Sequence, residues 1–242
     1  CPICMEEWDV NDKSPVLRIC CCRLTCESCA QKIGLYEPCP LCRAECLAPT
    51  EALAQVRRHV ENEVPEMVKF LGDAYHHGGH FGLVKSDKKA AKLYKKAVEQ
   101  YGCVDAMYSL GEMYDTGDGT GVKLDKKKAM QLFRMAADRG HVRSAQTLGF
   151  LLSEAGDASA FKYFMLGAQR GYHESYHSVA VCYLRGEGVP SVDREEARRW
   201  LQRGADEGSE KCRAAMKDIF AKTLPMSLCP SDRLLASLAN TP

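Results

Sequence analysis

A pattern that recurs four times in the second part of the chain constrains the fold more than any other feature. Each copy opens with a Leu-Gly pair or its weaker equivalent, which recurs after 39, 38 and 31 residues. The four pairs are Leu71-Gly72, Leu110-Gly111, Leu148-Gly149 and Val179-Ala180. The last step is shorter because the third copy lacks the glycine-rich loop found at 117–122 and 186–189. A period of this length is typical of stacked supersecondary units.

Each copy continues into a second segment whose apolar residues have helical spacing. Every such segment opens with an aspartate, a favourable N-cap, and closes at a glycine, a favourable C′ residue. The aspartates are Asp87, Asp125, Asp157 and Asp193, and the glycines are Gly102, Gly140, Gly171 and Gly208. One helix pair cannot bury its own apolar face, so the sequence predicts an all-α solenoid of stacked helix pairs.

Three glycines stand where the first helix of a copy should be continuous, namely Gly72, Gly111 and Gly149. A glycine inside a helix costs roughly 1 kcal/mol relative to alanine. We therefore expect that a side chain at these positions would hold the paired helices apart.

These motifs resemble the Sel-1-like repeat, a relative of the tetratricopeptide repeat. The resemblance rests on the pattern A-x-x-x-L-G-x-x-Y-x-x-G-x-G at Ala106–Gly119 and on the echoing second segments. It implies an α-solenoid at 65–224 with an extended face for proteins or peptides. The predicted divisions are a linking helix at 47–64 with Thr50 as N-cap, units at 66–103, 104–141, 142–172 and 173–208, a capping helix at 209–223 and a tail at 225–242.

Cysteines divide the chain near residue 47. Ten of the 14 cysteines lie in residues 1–46, three pairs of them as Cys-x-x-Cys: Cys1 with Cys4, Cys26 with Cys29, and Cys39 with Cys42. Such clustering favours zinc in a reducing compartment over disulfides, so we expect an intracellular protein, cytoplasmic or nuclear. Three pairs and the run Cys20–Cys22 predict two structural zinc ions in a domain at 1–46. We expect the four later cysteines to be small core or surface residues.

The order and gaps of these pairs resemble the RING finger, a small zinc-stabilised α+β domain. The resemblance assigns Cys1, Cys4, Cys26 and Cys29 to the first zinc. It assigns Cys39 and Cys42 to the second, together with a Cys-x-His pair that would fall on Cys21 and Arg23. Arginine cannot ligate a metal. Cys20 or Cys22 can take the missing place beside Cys21, or Cys20 and Cys22 can form the pair together, and a second site with three ligands or none is the alternative.

The RING resemblance implies a ubiquitin ligase that recruits a ubiquitin-conjugating enzyme while the repeats bind a substrate or a larger complex. Ile3, Ile33 and Pro40 match the positions that contact the conjugating enzyme, and Arg43 matches the arginine that bridges it to ubiquitin. The alternative roles are packing within the zinc fold for the isoleucines, stiffening of a zinc loop for Pro40 and a plain surface charge for Arg43.

A second hypothesis is a scaffold or adaptor in which zinc serves only structure, and a third is a redox or iron–sulfur protein.

The net charge of +1 argues against nucleic acid as the main partner. No apolar run is long enough to span a bilayer. His76, His77 and His80 are read as a polar loop, with metal binding as the alternative. The chain begins with Cys1, so we expect that it is part of a longer protein.

Overall fold

The computed structural model describes residues 16–18, 23–25, 48–117 and 121–220. Helices dominate the described residues. In chain order they are α1 Pro49–Glu61, α2 Pro65–His77, α3 Asp87–Tyr101, α4 Val104–Thr116, α5 Lys126–Asp138, α6 Val142–Glu154, α7 Ala160–Gln169, α8 His173–Arg185, α9 Arg194–Asp206 and α10 Glu210–Phe220. A single 3-10 turn at His80–Gly82 follows α2.

Two short strands form a hairpin near the N-terminus. Strand β1, Val16–Arg18, pairs antiparallel with β2, Arg23–Thr25, and Arg18 lies opposite Arg23. The chain therefore reverses direction between these two arginines. The connection between them carries the three consecutive cysteines of the sequence, Cys20–Cys22.

The chain divides into two compact bodies, residues 1–172 and 173–242. In the first body α2 packs on α3, α4 on α5 and α6 on α7, and successive pairs meet through α3 with α4 and α5 with α6. In the second body α9 packs on both α8 and α10. The predicted solenoid of stacked helix pairs is confirmed for the described helices.

A contact between a glycine and an aromatic ring joins the two helices of each pair in the first body. A Cβ built on Gly72 would lie 2.7 Å from Tyr94, one on Gly111 would lie 2.7 Å from Phe133, and one on Gly149 would lie 2.5 Å from Phe164. All three rings are buried. The prediction that a side chain at these glycines would hold the helices apart is therefore confirmed.

The fourth helix pair has a larger residue in place of the glycine and a smaller residue in place of the aromatic ring. Its first helix carries Ala180 where the others carry glycine, and its second helix carries Leu201 where the others carry a ring. Both residues are buried. The third pair differs instead in its loop, since only residues 155–159 connect α6 to α7, which explains the short step in the sequence repeat.

The helix starts correct several predictions made from the sequence. Asp125 and Asp193 are N-caps, and their carboxylates accept hydrogen bonds from the backbone N–H of Lys128 and Glu196. Asp87 is not a cap, because Ser86 precedes α3 and the Asp87 carboxylate instead pairs with His76. Asp157 accepts from the N–H of Ser159, one turn before α7 begins.

The start of the linking helix was also predicted wrongly. Helix α1 begins at Pro49, so Ala48 rather than Thr50 is its N-cap. A proline is favourable at the first helical position because its ring already holds the helical φ angle.

We predict that Gly111→Ala lowers the free energy of unfolding by up to about 2 kcal/mol. Overpacking against the buried Phe133 ring costs about 1–3 kcal/mol, which exceeds the gain of about 1 kcal/mol in helix propensity. Urea unfolding of Gly111→Ala measures the effect. The matched test is the same change in a Phe133→Leu background, where the added methyl group should cost less; an equal cost in both backgrounds would show that the ring is not the cause.

Candidate protein-binding surface

The residues predicted to hold zinc or to contact a conjugating enzyme lie outside the part of the chain that the structure describes. They are Cys1, Cys4, Cys20, Cys21, Cys22, Cys26, Cys29, Cys39 and Cys42 for zinc, and Ile3, Ile33, Pro40 and Arg43 for the enzyme. These assignments stay predictions.

The histidine cluster lies at the end of α2 and in the 3-10 turn after it, and two of its rings make contacts within the fold. The His76 ring lies 2.7 Å, Nδ1 to Oδ1, from the Asp87 carboxylate at the start of α3. The rings of His76 and His77 contact each other edge to face. Within residues 48–117 and 121–220, no three His, Cys, Asp or Glu side chains are grouped so that they could hold a metal ion.

The first helices of the three pairs in the first body carry a set of side chains near the glycine positions, which we call the first-helix face. It consists of Lys69, Asp73, Tyr108, Glu112, Arg143 and Phe150. Its positions follow from the glycine–ring contacts. Because Gly72, Gly111 and Gly149 point into the helix pair, the next residue on each helix, Asp73, Glu112 or Phe150, lies at the margin of that contact.

Tyr108 lies at the centre of the first-helix face. Its ring centroid is 5.0 Å from the guanidinium carbon of Arg143, 5.0 Å from the ring of His141 and 5.7 Å from the ring of Phe133. Its hydroxyl donates to Glu112 Oε1 at 2.7 Å. Burial first, and then the bond to Glu112, raise the pKa of Tyr108 to about 12. The hydroxyl is therefore protonated at neutral pH.

The face continues onto α2 through Tyr94. The Tyr94 hydroxyl donates to Asp73 Oδ1 at 2.7 Å, and Asp73 also pairs with Lys69 at 2.8 Å. Burial and the charge of Asp73 raise the pKa of Tyr94, and Glu112 of α4 acts in the same direction. Carboxylates of α2 and α4 therefore lie beside the same hydroxyl.

Phe150 forms the other end of the face. Its side chain is 44% exposed, although its ring contacts Phe164 edge to face at 5.3 Å. Exposed aromatic rings, tyrosine and arginine are the side chains that most often dominate the binding energy at protein interfaces. The first-helix face combines all three with both signs of charge, so it is suited chemically to a peptide or protein.

One group near this face has the elements of a catalytic triad but cannot act as one. His141 Nδ1 lies 2.8 Å from Ser144 Oγ, and His141 Nε2 lies 3.6 Å from Asp105 Oδ1. However, Ser144 is fully buried, so its hydroxyl cannot reach a substrate. His141 is instead the N-cap of α6, and its Nδ1 accepts from the backbone N–H of Ser144 at 3.1 Å.

The described cysteines are not poised as nucleophiles either. Cys182 and Cys212 are buried and Cys103 is half-buried, and all three are free. Burial raises the pKa of the Cys182 thiol to about 11 and also raises the pKa of Cys103 and Cys212. A thiol in this state reacts poorly, so these three agree with the expectation of small packing residues.

Sequence reasoning did not find the first-helix face. Tyr108 and Arg143 belong to different repeat copies, and neither is part of the recurring motif. The repeat register could have indicated it, since Lys69, Tyr108 and Gln146 occupy equivalent positions two residues before each leucine.

A family model for the Sel1 repeat matches residues 69–101, 104–141 and 173–209. The chain contains Sel1 repeats. This confirms the repeat prediction, whereas the RING-type domain is not shown and stays a prediction. The third helix pair, with its short loop, lies outside the three Sel1 matches.

Two curated relatives match less than half of the chain each. Chitin synthase regulatory factor 2 of Schizosaccharomyces pombe is 28% identical over 124 residues, which is 49% of this chain and 24% of that protein. DAP3-binding cell death enhancer 1 of Rattus norvegicus is 29% identical over 99 residues, or 40% of this chain and 19% of that protein. The match thus spans a quarter or less of these relatives.

Solved structures share the same fold. The Sel1 repeat protein from Oxalobacter formigenes superposes with a TM-score of 0.63 at 25% identity, over 70% of this chain and 69% of that one. The protective antigen c5321 of uropathogenic Escherichia coli gives 0.61 at 27% identity, over 68% of this chain and 36% of that one. Among the described helices, none is long and apolar enough to cross a bilayer.

We predict that stability falls on acidification in part through His141. Burial lowers its pKa, the charge of Asp105 partly opposes this, and the charges of Arg143 and Lys69 add to the lowering. The unfolded chain therefore binds this proton first, and stability is lost as the pH falls from the ordinary histidine pKa of about 6.5 through the lowered value.

Urea unfolding between neutral and mildly acidic pH tests this prediction with His141→Asn. Asparagine can keep the N-cap acceptor without titrating in this range. The variant should lose part of the wild-type pH dependence. His177, whose pKa burial also lowers, provides a matched variant, His177→Asn, for the second body. If the free energy of unfolding of His141→Asn depended on pH as steeply as that of the wild type, His141 would not be a source of the pH dependence.

Proposed function

We propose that this chain is a scaffold that binds a protein partner on its first-helix face. The observation that carries the proposal is the Tyr108 cluster, in which a half-buried tyrosine is held by Arg143, His141 and Glu112. A side chain held in this way loses little conformational freedom on binding, which lowers the cost of association.

The relatives support a role exerted through other proteins. One is named as a regulatory factor of chitin synthase, and the other is named for binding DAP3. Sel1 repeats themselves favour protein partners. The buried Ser144 and the thiols of raised pKa favour binding over catalysis by these groups.

The test of the scaffold role uses Tyr108→Ala combined with Arg143→Ala. A partner captured with the immobilised wild-type chain is identified, purified and titrated calorimetrically against each variant. Truncating one hot-spot side chain costs about 2 kcal/mol, or about thirtyfold in affinity, so the double variant should bind about thirtyfold to a thousandfold less tightly.

Met135→Ala is the matched control, because Met135 is exposed on the second helix of the same repeat. It should bind like the wild type, and circular dichroism should show that all variants fold. Equal affinity of the double variant and the wild type would rule out the first-helix face as the docking surface.

A second candidate is a RING-type ubiquitin ligase, which the spacing of the N-terminal cysteines favours. In this candidate Cys1, Cys4, Cys26 and Cys29 hold one Zn²⁺, and Cys39 and Cys42 hold another with two of Cys20–Cys22. The antiparallel pair β1–β2 is compatible with it, because the RING finger is a small α+β domain. Each zinc would stabilise the small domain by an amount on the order of 10 kcal/mol.

Native mass spectrometry of the wild type and of Cys20→Ser, Cys21→Ser and Cys22→Ser tests the zinc prediction. We expect two zinc ions in the wild type and a weakened second site in two of the three variants. An in vitro ubiquitination assay with Arg43→Ala as control then tests ligase activity. One zinc in the wild type, unaffected by all three changes, would exclude the complete RING domain and leave the scaffold role alone.

A further inference from the structure

A second surface lies at the loop edge of the first two repeats, away from the first-helix face. It is an open groove of about 390 Å³, which we call the lysine groove. Its lining is Lys95, Tyr114, Gly121, Val122, Lys123, Leu124, Asp125 and Lys128. The groove thus receives residues from α3, from the end of α4, from the loop that follows it and from the start of α5.

Two lysines of the groove converge on one tyrosine ring. Lys95 Nζ lies 5.8 Å and Lys128 Nζ lies 5.5 Å from the centroid of Tyr114. A cation over the ring face is held by the ring quadrupole. The ammonium groups of two different helices therefore both lie beside this one ring.

Residues 121–125 of the loop that carries Lys123 pack against the helices. Gly121 lies against the backbone of Lys88 at the start of α3, where a Cβ would come within 2.6 Å, and its φ of +74° favours glycine. The N–H of Asp125 donates to the carbonyl of Tyr114 at 2.9 Å. Lys123 and the exposed Leu124 therefore have a defined backbone position.

The lining carries three lysines and one aspartate. Asp125 is committed to capping α5, and its hydrogen bond from the Lys128 N–H lowers its pKa. Its carboxylate also lies 3.3 Å from Lys128 Nζ. Among the described residues, Lys95 and Lys123 have no carboxylate partner. The surrounding helix surface adds exposed lysines, namely Lys88, Lys92, Lys126 and Lys127.

We propose that the lysine groove binds an acidic peptide segment of a partner protein. This rests on the proposed scaffold role and specifies the chemistry of one partner segment. Carboxylates complement Lys95, Lys123 and Lys128, and an apolar side chain beside them complements Leu124, which is 59% exposed. Charge complementarity of this kind sets partner choice and association rate.

Nucleic acid fits this groove less well than an acidic peptide. Single strands bind by stacking bases on free aromatic faces along a basic track. Here Tyr114 already contacts two lysines, and the whole chain carries a net charge of only +1. The groove is therefore a local basic site rather than a continuous track.

Fluorescence anisotropy tests the proposal with a short labelled peptide that alternates glutamate pairs with leucine. The first variant is Lys95→Gln, Lys123→Gln and Lys128→Gln together. The matched control is Lys162→Gln, Lys211→Gln and Lys217→Gln, which removes the same charge from exposed lysines elsewhere. Both folded variants are compared with the wild type at low and at physiological salt.

We expect the peptide to bind the wild type, and we expect this binding to weaken with added salt. The groove variant should bind the peptide about tenfold or more less tightly, as for the loss of close charge pairs. The control variant should keep the affinity of the wild type, and a peptide with glutamine in place of glutamate should lose affinity. Together these results would distinguish binding in the groove from general charge attraction. Equal losses in both variants, absence of peptide binding, or tighter binding of an oligothymidine than of the peptide would each overturn the proposal. If the groove proposal failed but capture of the partner still depended on Tyr108 and Arg143, the scaffold role would still be supported.

Discussion

The contact between a helix glycine and a buried aromatic ring is the interaction on which the rest of the structure depends. Because Gly111 has no Cβ, the Phe133 ring lies against the α4 backbone and the two helices approach closely. The same contact recurs at Gly72 with Tyr94 and at Gly149 with Phe164. Repeating one contact gives the three helix pairs of the first body a similar internal geometry, so that neighbouring pairs there can bury a continuous core.

This close packing also determines which side chains remain available for binding. The glycine side of each first helix in the first body packs against the second helix of its pair. The positions next to each glycine therefore carry the polar and aromatic side chains of the surface. Tyr108 illustrates the consequence, because its ring contacts Phe133 within the pair and Arg143 from the next one. A residue that joins two repeats in this way is restrained, so it would lose little conformational freedom on contact with a partner.

The loops between helices carry the variation among the repeats. The second repeat has a glycine-containing loop that positions Lys123 beside Tyr114, whereas the third connects α6 to α7 through residues 155–159 alone. Loops of a solenoid can change in this way because the core contacts lie within the helices. The lysine groove is therefore formed by one repeat and its neighbour.

The sequence by itself determined the helix pairs, their period, the role of the three mid-helix glycines and the capping by Asp125 and Asp193, because these depend on contacts local in the chain or repeated along it. It predicted two zinc sites whose residues lie outside the described part of the chain. Only the tertiary structure decided that Asp87 pairs with His76 instead of capping α3, that Ser144 is buried, and that Tyr108 meets Arg143. Those outcomes depend on which helices become neighbours and on how much solvent reaches each side chain, and neither is encoded in local spacing.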